Sequence, residues 1–159
     1  MNNNDVLRRV RYIFDFNDSK MIALFALGNP DTEQTISRAQ ISDWLKKEDE
    51  PAHKVCTDTM LAIFLNGLIV DKRGARDDAP PLVPEKRITN NIVFTKLKIA
   101  LNFKAEDVLE VLGSTGHTLS KHELSAFFRK PGHKHYRECK DQVLRNFLKG
   151  LQLKYRKAE

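Results

Sequence analysis

This chain carries one pattern twice. Residues 35–68 align without a gap on residues 118–151, with eleven identical positions. Thr35, Ser37, Ser42, Lys47, Cys56, Asp58, Leu61, Phe64, Leu65, Gly67 and Leu68 recur as Thr118, Ser120, Ser125, Lys130, Cys139, Asp141, Leu144, Phe147, Leu148, Gly150 and Leu151. A second block, offset by four further residues, brings back Asn3, Asn4, Val6 and Phe16 as Asn90, Asn91, Val93 and Phe103. Self-similarity of this kind means one structural unit built twice, each copy with the same apolar face to bury. We read residues 1–70 as the first unit, 71–88 as a linker and 89–159 as the second unit. The linker holds Pro80, Pro81 and Pro84, three of the six prolines. Few residues in it could join a core, so it predicts extended chain.

Each unit reads as four helices. Val6, Leu7, Val10, Ile13 and Phe14 recur at helical spacing, and so do Val93, Phe94, Leu97, Ala100 and Leu101. Asn3 or Asn4 is placed to cap the first helix. A short second helix is expected near 19–27 and again at 105–112. Ser37-x-x-Gln40 and Ser120-x-x-Glu123 are capping boxes in register. Ile36 with Ile41, and Leu119 with Leu124, add the hydrophobic staple. The fourth helix is expected from about Pro51. Its stripe is Cys56, Met60, Leu61, Phe64 and Leu65, matched by Cys139, Val143, Leu144, Phe147 and Leu148. Gly67 and Gly150, each followed by Leu, read as helix stops. With 7 Gly and 6 Pro in 159 residues, few positions break a helix. The fold class expected is all-α: two tandem homologous four-helix units joined by a Pro-rich linker.

Several classes drop out. No apolar run approaches the roughly 20 residues of a membrane span, and MNNNDVLRR lacks the apolar stretch of a secretory signal. Two cysteines cannot make a disulfide framework. A cytoplasmic location is therefore expected. No P-loop, GxGxxG, HExxH or GxSxG string is present. No cofactor and no catalytic residue is expected, and the protein reads as a non-enzyme.

Charge separates the two copies. The formal net charge is +6. Residues 1–70 hold 8 Lys and Arg against 10 Asp and Glu, whereas residues 89–159 hold 14 against 7. The excess clusters in AFFRKPGHKHYRECK, with Arg129, Lys130, Lys134 and Arg137 among His133, His135 and Tyr136. The matching stretch of the first copy carries Glu48, Asp49 and Glu50. Arg145 and Lys149 add an i, i+4 pair where the first copy has Ala62 and Asn66. Basic groups interleaved with aromatics suit phosphate contact with base stacking. The expected partner is nucleic acid or another polyanion, and these six residues are the candidates for holding it. The plainer reading of the same charges is a solvated helical face.

Three sharper motifs stand in the sequence. ISRAQISDWLKK and LSKHELSAFFRK resemble recognition helices of a helix-turn-helix, with Arg38, Gln40, Lys121 and His122 outward. Their connections from the preceding helix exceed the usual three to four residues. His133, His135 and Cys139 form an HxHxxxC string of zinc-ligand type. However, Cys139 repeats Cys56, and a buried core thiol explains both. A catalytic thiol needs an accessible electropositive setting, which only Cys139 has in part. Asp58 and Asp141 read as first-turn helix carboxylates.

NNNDVLRRVRY, FLNGLIVDKRG and AFFRKPGHKHYRECKDQVLRNFLKGL are together similar to the YehS-like bacterial proteins. The resemblance covers nearly the whole chain. It implies a bacterial, two-unit protein of a family without assigned activity, and transfers no site residues. The expected function is non-enzymatic polyanion binding through the second unit. The alternative is a protein-interaction adaptor for an acidic protein, or a homodimerising module with no nucleic-acid role.

Overall fold

The computed structural model describes residues 1–74 and 81–156. Eight helices account for the regular structure, and no strand occurs among the described residues. The first repeat contains α1 (Asn3–Phe14), α2 (Asp18–Gly28), α3 (Arg38–Leu45) and α4 (Asp58–Arg73). The second contains α5 (Asn90–Ala100), α6 (Ala105–Gly113), α7 (Lys121–Ala126) and α8 (Asp141–Tyr155). The all-α, two-by-four architecture matches the expectation. α4 runs three residues into the span read as linker, and residues 75–80, including Pro80, lie outside the described residues.

Side-chain caps recur in register at α3 and α7 and at α1 and α5. Ser37 Oγ accepts from Gln40 N–H and Ser120 Oγ from Glu123 N–H, and both reciprocal bonds are present. The start of α1 differs from expectation. Asn2 is the cap, and Thr89 does the same for α5. Asn3 and Asn4 are thereby freed to bond elsewhere. α4 begins at Asp58 rather than near Pro51, because Thr57 caps it and Ala52 takes a positive φ of 69°. That backbone state breaks a helix at a non-glycine residue.

The glycines also change role. Gly67 and Gly150 lie inside α4 and α8 and stop nothing. A Cβ on Gly67 would stand 1.8 Å from the carbonyl oxygen of Leu24, and one on Gly150 would stand 2.4 Å from that of Val111. Leu24 and Val111 are equivalent positions of α2 and α6. These glycines let α2 press onto α4 and α6 onto α8. The left-handed stops occur instead at Asp15 and Asn102, φ 53° and 56°. Behind them the Phe16 and Phe103 amides reach back to Arg11 and Lys98 carbonyls, which explains the paired phenylalanines.

The apolar stripes converge as the periodicity predicts. Phe25 packs against Trp44 and Phe64, and Phe94 against Phe127 and Phe147. Buried residues of both repeats form one continuous core. Each fully buried Leu or Phe contributes about 1.5–3 kcal/mol before ordering entropy is counted.

The repeats join reciprocally. α1 packs on α8, and α4 packs on α5. Asp58 accepts Asn3 Nδ2 at 2.7 Å and the Ile88 amide at 3.0 Å. Asp141 accepts Asn90 Nδ2 at 2.7 Å and the Met1 ammonium at 2.6 Å. Met1 and Ile88 are equivalent positions. Each repeat thus holds the start of the other through the same carboxylate, a pseudo-twofold arrangement of isologous kind.

Candidate functional site

The polar groups that the repeats share turn out to be structural. Asn4 is 2 % exposed. Its Nδ2 donates to the carbonyls of Trp44 and Lys54, both at 2.8 Å, and its Oδ1 accepts from Cys56 N–H at 3.1 Å. Asn91 repeats this with Phe127 O, Arg137 O and Cys139 N. Each amide ties its first helix to the end of the third and to the extended segment before the fourth.

That clamp fixes the cysteines away from solvent. Burial, followed by the charges of Asp58 and Asp141, pushes the Cys56 and Cys139 thiols up to about 12. A thiol held protonated is a poor nucleophile at neutral pH. The structure does not assemble the HxHxxxC ligand set. Cys139 is buried in the core, its Sγ donating to the Lys140 carbonyl at 3.7 Å, while His133 and His135 are exposed. No group of three metal-ligating side chains occurs among the described residues. The His135 ring instead lies 5.6 Å from that of His133 and 6.4 Å from that of His122, centre to centre.

The α2–α3 and α6–α7 connections are longer than the three to four residues of a helix-turn-helix. Residues 29–37 join α2 to α3, and residues 114–120 join α6 to α7. Arg38, Gln40, Lys121 and His122 are exposed. Two of them are engaged locally: Gln40 accepts from Ser37 N–H, and Lys121 pairs with Glu106 at 2.5 Å.

The six basic candidates fall into two places. Arg129, Lys130, Lys134 and Arg137 lie in the connection between α7 and α8, and all four are exposed. None has an ion pair among the described residues. The Arg137 guanidinium rests 5.5 Å from the Phe127 ring centre. The matching connection of the first repeat is balanced in sequence, Lys46, Lys47 and Lys54 against Glu48, Asp49 and Glu50; Lys46 pairs with Asp43 of α3 at 2.7 Å, and Glu48 accepts from Asn2.

Arg145 and Lys149 lie on α8, and Arg145 does not face that connection. It lines a cleft with Met1, Asp5, Arg8 and Arg9 at the α1–α8 junction. A neighbouring cleft joins Arg8 and Arg9 to Arg11, Tyr12, Lys47 and Arg156. Charge counting by unit hides this cluster, because the acidic residues of repeat one cancel its arginines in the total. The visible signal was the run Arg8-Arg9-Val10-Arg11 on one helix.

Fold and sequence together define a duplicated all-helical protein whose copies share one core and differ in net charge. The chain belongs to the family described as protein of unknown function DUF1456, whose model matches residues 3–74 and 90–157, one match per repeat. It is 47% identical over 151 residues to the uncharacterized protein YehS of Escherichia coli strain K12, covering 95% of this chain and 94% of that protein. No solved structure matches it significantly.

Proposed function

We propose that this chain is a non-enzymatic binding protein whose second repeat holds a polyanion, nucleic acid foremost, on the α7–α8 connection. One observation carries the reading. Arg129, Lys130, Lys134 and Arg137 are exposed and unpaired among the described residues, on a segment whose sister copy carries as many acidic as basic residues. Unpaired cations on a short segment attract phosphates and release condensed counterions on contact. His122, His133 and His135 place flat rings beside them for bases to stack on. The buried, protonated thiols support the non-enzymatic part of the reading.

Fluorescence anisotropy with single-stranded and duplex DNA and RNA tests this across a salt series. Four phosphate contacts predict a log–log slope of about −3, and each Lys or Arg removed lowers its magnitude by about 1. Absence of binding at low salt overturns the proposal. A salt-insensitive dimer in light scattering, with no nucleic-acid affinity, would favour the adaptor reading in its place.

A further inference from the structure

The pseudo-twofold provides an internal comparison between two equivalent helix junctions. At the α4–α5 junction one cation is fully accommodated. Lys96 Nζ lies 2.5 Å from Asn66 Oδ1 and 3.1 Å from Glu85 Oε1, with the lysine side chain 11% exposed. In the repeat register Arg9 holds the place of Lys96, Lys149 that of Asn66, Arg145 that of Ala62 and Arg8 that of Thr95. The α1–α8 junction has therefore kept the cation, lost its acceptor and gained three more cations.

The available carboxylates do not match them. Asp5 serves Arg8 at 2.5 Å. Asp141 Oδ2 is divided between the Met1 ammonium at 2.6 Å and Arg145 at 3.8 Å. Arg9 has no carboxylate within ion-pair distance among the described residues, and its Nε is shut from solvent without a hydrogen-bond partner. Arg8, Arg9 and Arg145 nevertheless line one cleft of about 180 Å³, and Arg8 and Arg9 also line a second of about 450 Å³. Like charges converging in a partly enclosed space repel more strongly than in bulk water. Guanidinium forks match the oxygens of a phosphate and bind it bidentately.

We propose that the α1–α8 junction is a phosphate-binding site, with Arg9 and Arg145 as its main ligands and Arg8 and Lys149 at its edges. The bound group is the oxyanion of a phosphomonoester, a pyrophosphate or a nucleic-acid backbone. Both repeats contribute, so the ligand would bridge them. The site shares no residue with the α7–α8 connection, and it stands or falls separately from the reading given to that segment.

The test is isothermal titration of the full chain at low salt with inorganic phosphate, with pyrophosphate and with a short single-stranded oligonucleotide. The variants are Arg9→Gln, Arg145→Ala, Lys149→Glu and the triple Arg129→Ala/Lys130→Ala/Lys134→Ala. Arg145→Ala installs the residue that repeat one already carries, and Lys149→Glu changes an exposed helical surface position, so both keep the test open if Arg9→Gln fails to fold. Saturable pyrophosphate binding, weakened about tenfold or more by Arg145→Ala and Lys149→Glu and unchanged in the triple variant, supports a small phosphate ligand. Oligonucleotide binding that weakens in the same way, without pyrophosphate binding, supports the backbone as the source. If no titrant responds to Arg145→Ala or Lys149→Glu, the site is refuted. Loss of all anion binding in the triple variant alone refutes it as well, while leaving the α7–α8 reading intact.

Discussion

Asn91 Oδ1 accepts the backbone N–H of Cys139 at 2.8 Å, forty-eight residues further along the chain. Its Nδ2 donates to two carbonyls on the opposite side. One amide side chain therefore satisfies three main-chain groups that no helix or sheet reaches. Asn91→Leu would strand all three in a dry site. Each unsatisfied buried group costs about 1–3 kcal/mol, so the urea midpoint should fall by an amount equivalent to roughly 3–5 kcal/mol. Asn4→Leu should cost a similar amount in the same assay. A loss below about 1 kcal/mol for either would contradict the clamp.

Glycine substitutions should separate close packing from simple helix propensity. Gly150→Ala places a methyl group 2.4 Å from the Val111 carbonyl oxygen, which α6 can accommodate only by moving away. A destabilisation of about 1–3 kcal/mol is expected despite the better helix former. At Gly113 an added Cβ meets nothing within 4 Å. Gly113→Ala should therefore stabilise, by about 0.4–1 kcal/mol. Thermal melts of the two variants should move in opposite directions.

Acid sensitivity should centre on the repeat junction. The Met1 ammonium, then Asn90, and more weakly Arg145, hold the Asp141 carboxyl below its ordinary value of 3.8. Because its folded value is depressed, its contribution is present above 3.8 and fades as pH falls through the lower folded value. Asp141→Asn should lower the denaturation midpoint at pH 7 and converge with the native chain in strong acid. A constant difference across that range would show that the carboxylate charge is not what holds the junction.

The thiols give the opposite pH edge. Both are raised from 9.0 to about 12 by burial. Unfolded thiols lose their protons first, so stability is intact below pH 9 and falls as pH rises from there toward 12. At pH 8 the folded protein should resist alkylation by iodoacetamide, and both cysteines should react in urea. Rapid labelling of Cys139 alone without denaturant would place it at the surface.

The duplication shows which features a one-dimensional reading reaches. Ser37 and Ser120 were legible as caps because each bonds an amide three residues away. The stripes from Val6 to Ile13 and from Leu144 to Leu148 were legible because helical periodicity is itself local. Gly67 and Gly150 were misread because a glycine near an apparent helix end and a glycine under a crossing helix look the same in sequence. The partner that distinguishes them, the Leu24 or Val111 carbonyl, is some forty residues away. The same distance hid the work of Asn4 and Asn91.

The candidate site divides along the same line. The exposure of Arg129, Lys130, Lys134 and Arg137 followed from a polar, proline- and glycine-containing segment with no stripe to bury. The placing of Arg145 in a cleft with Arg8 and Arg9 did not, because it depends on α8 meeting α1 from the other repeat. By itself the sequence determined that the chain is all-helical, duplicated and unevenly charged, since caps, periodicity and composition act within a few residues. Only the tertiary structure decided that the repeats share one core and exchange carboxylates. It also decided that arginines from both converge at one junction, because packing brings together residues that are more than a hundred positions apart in the chain.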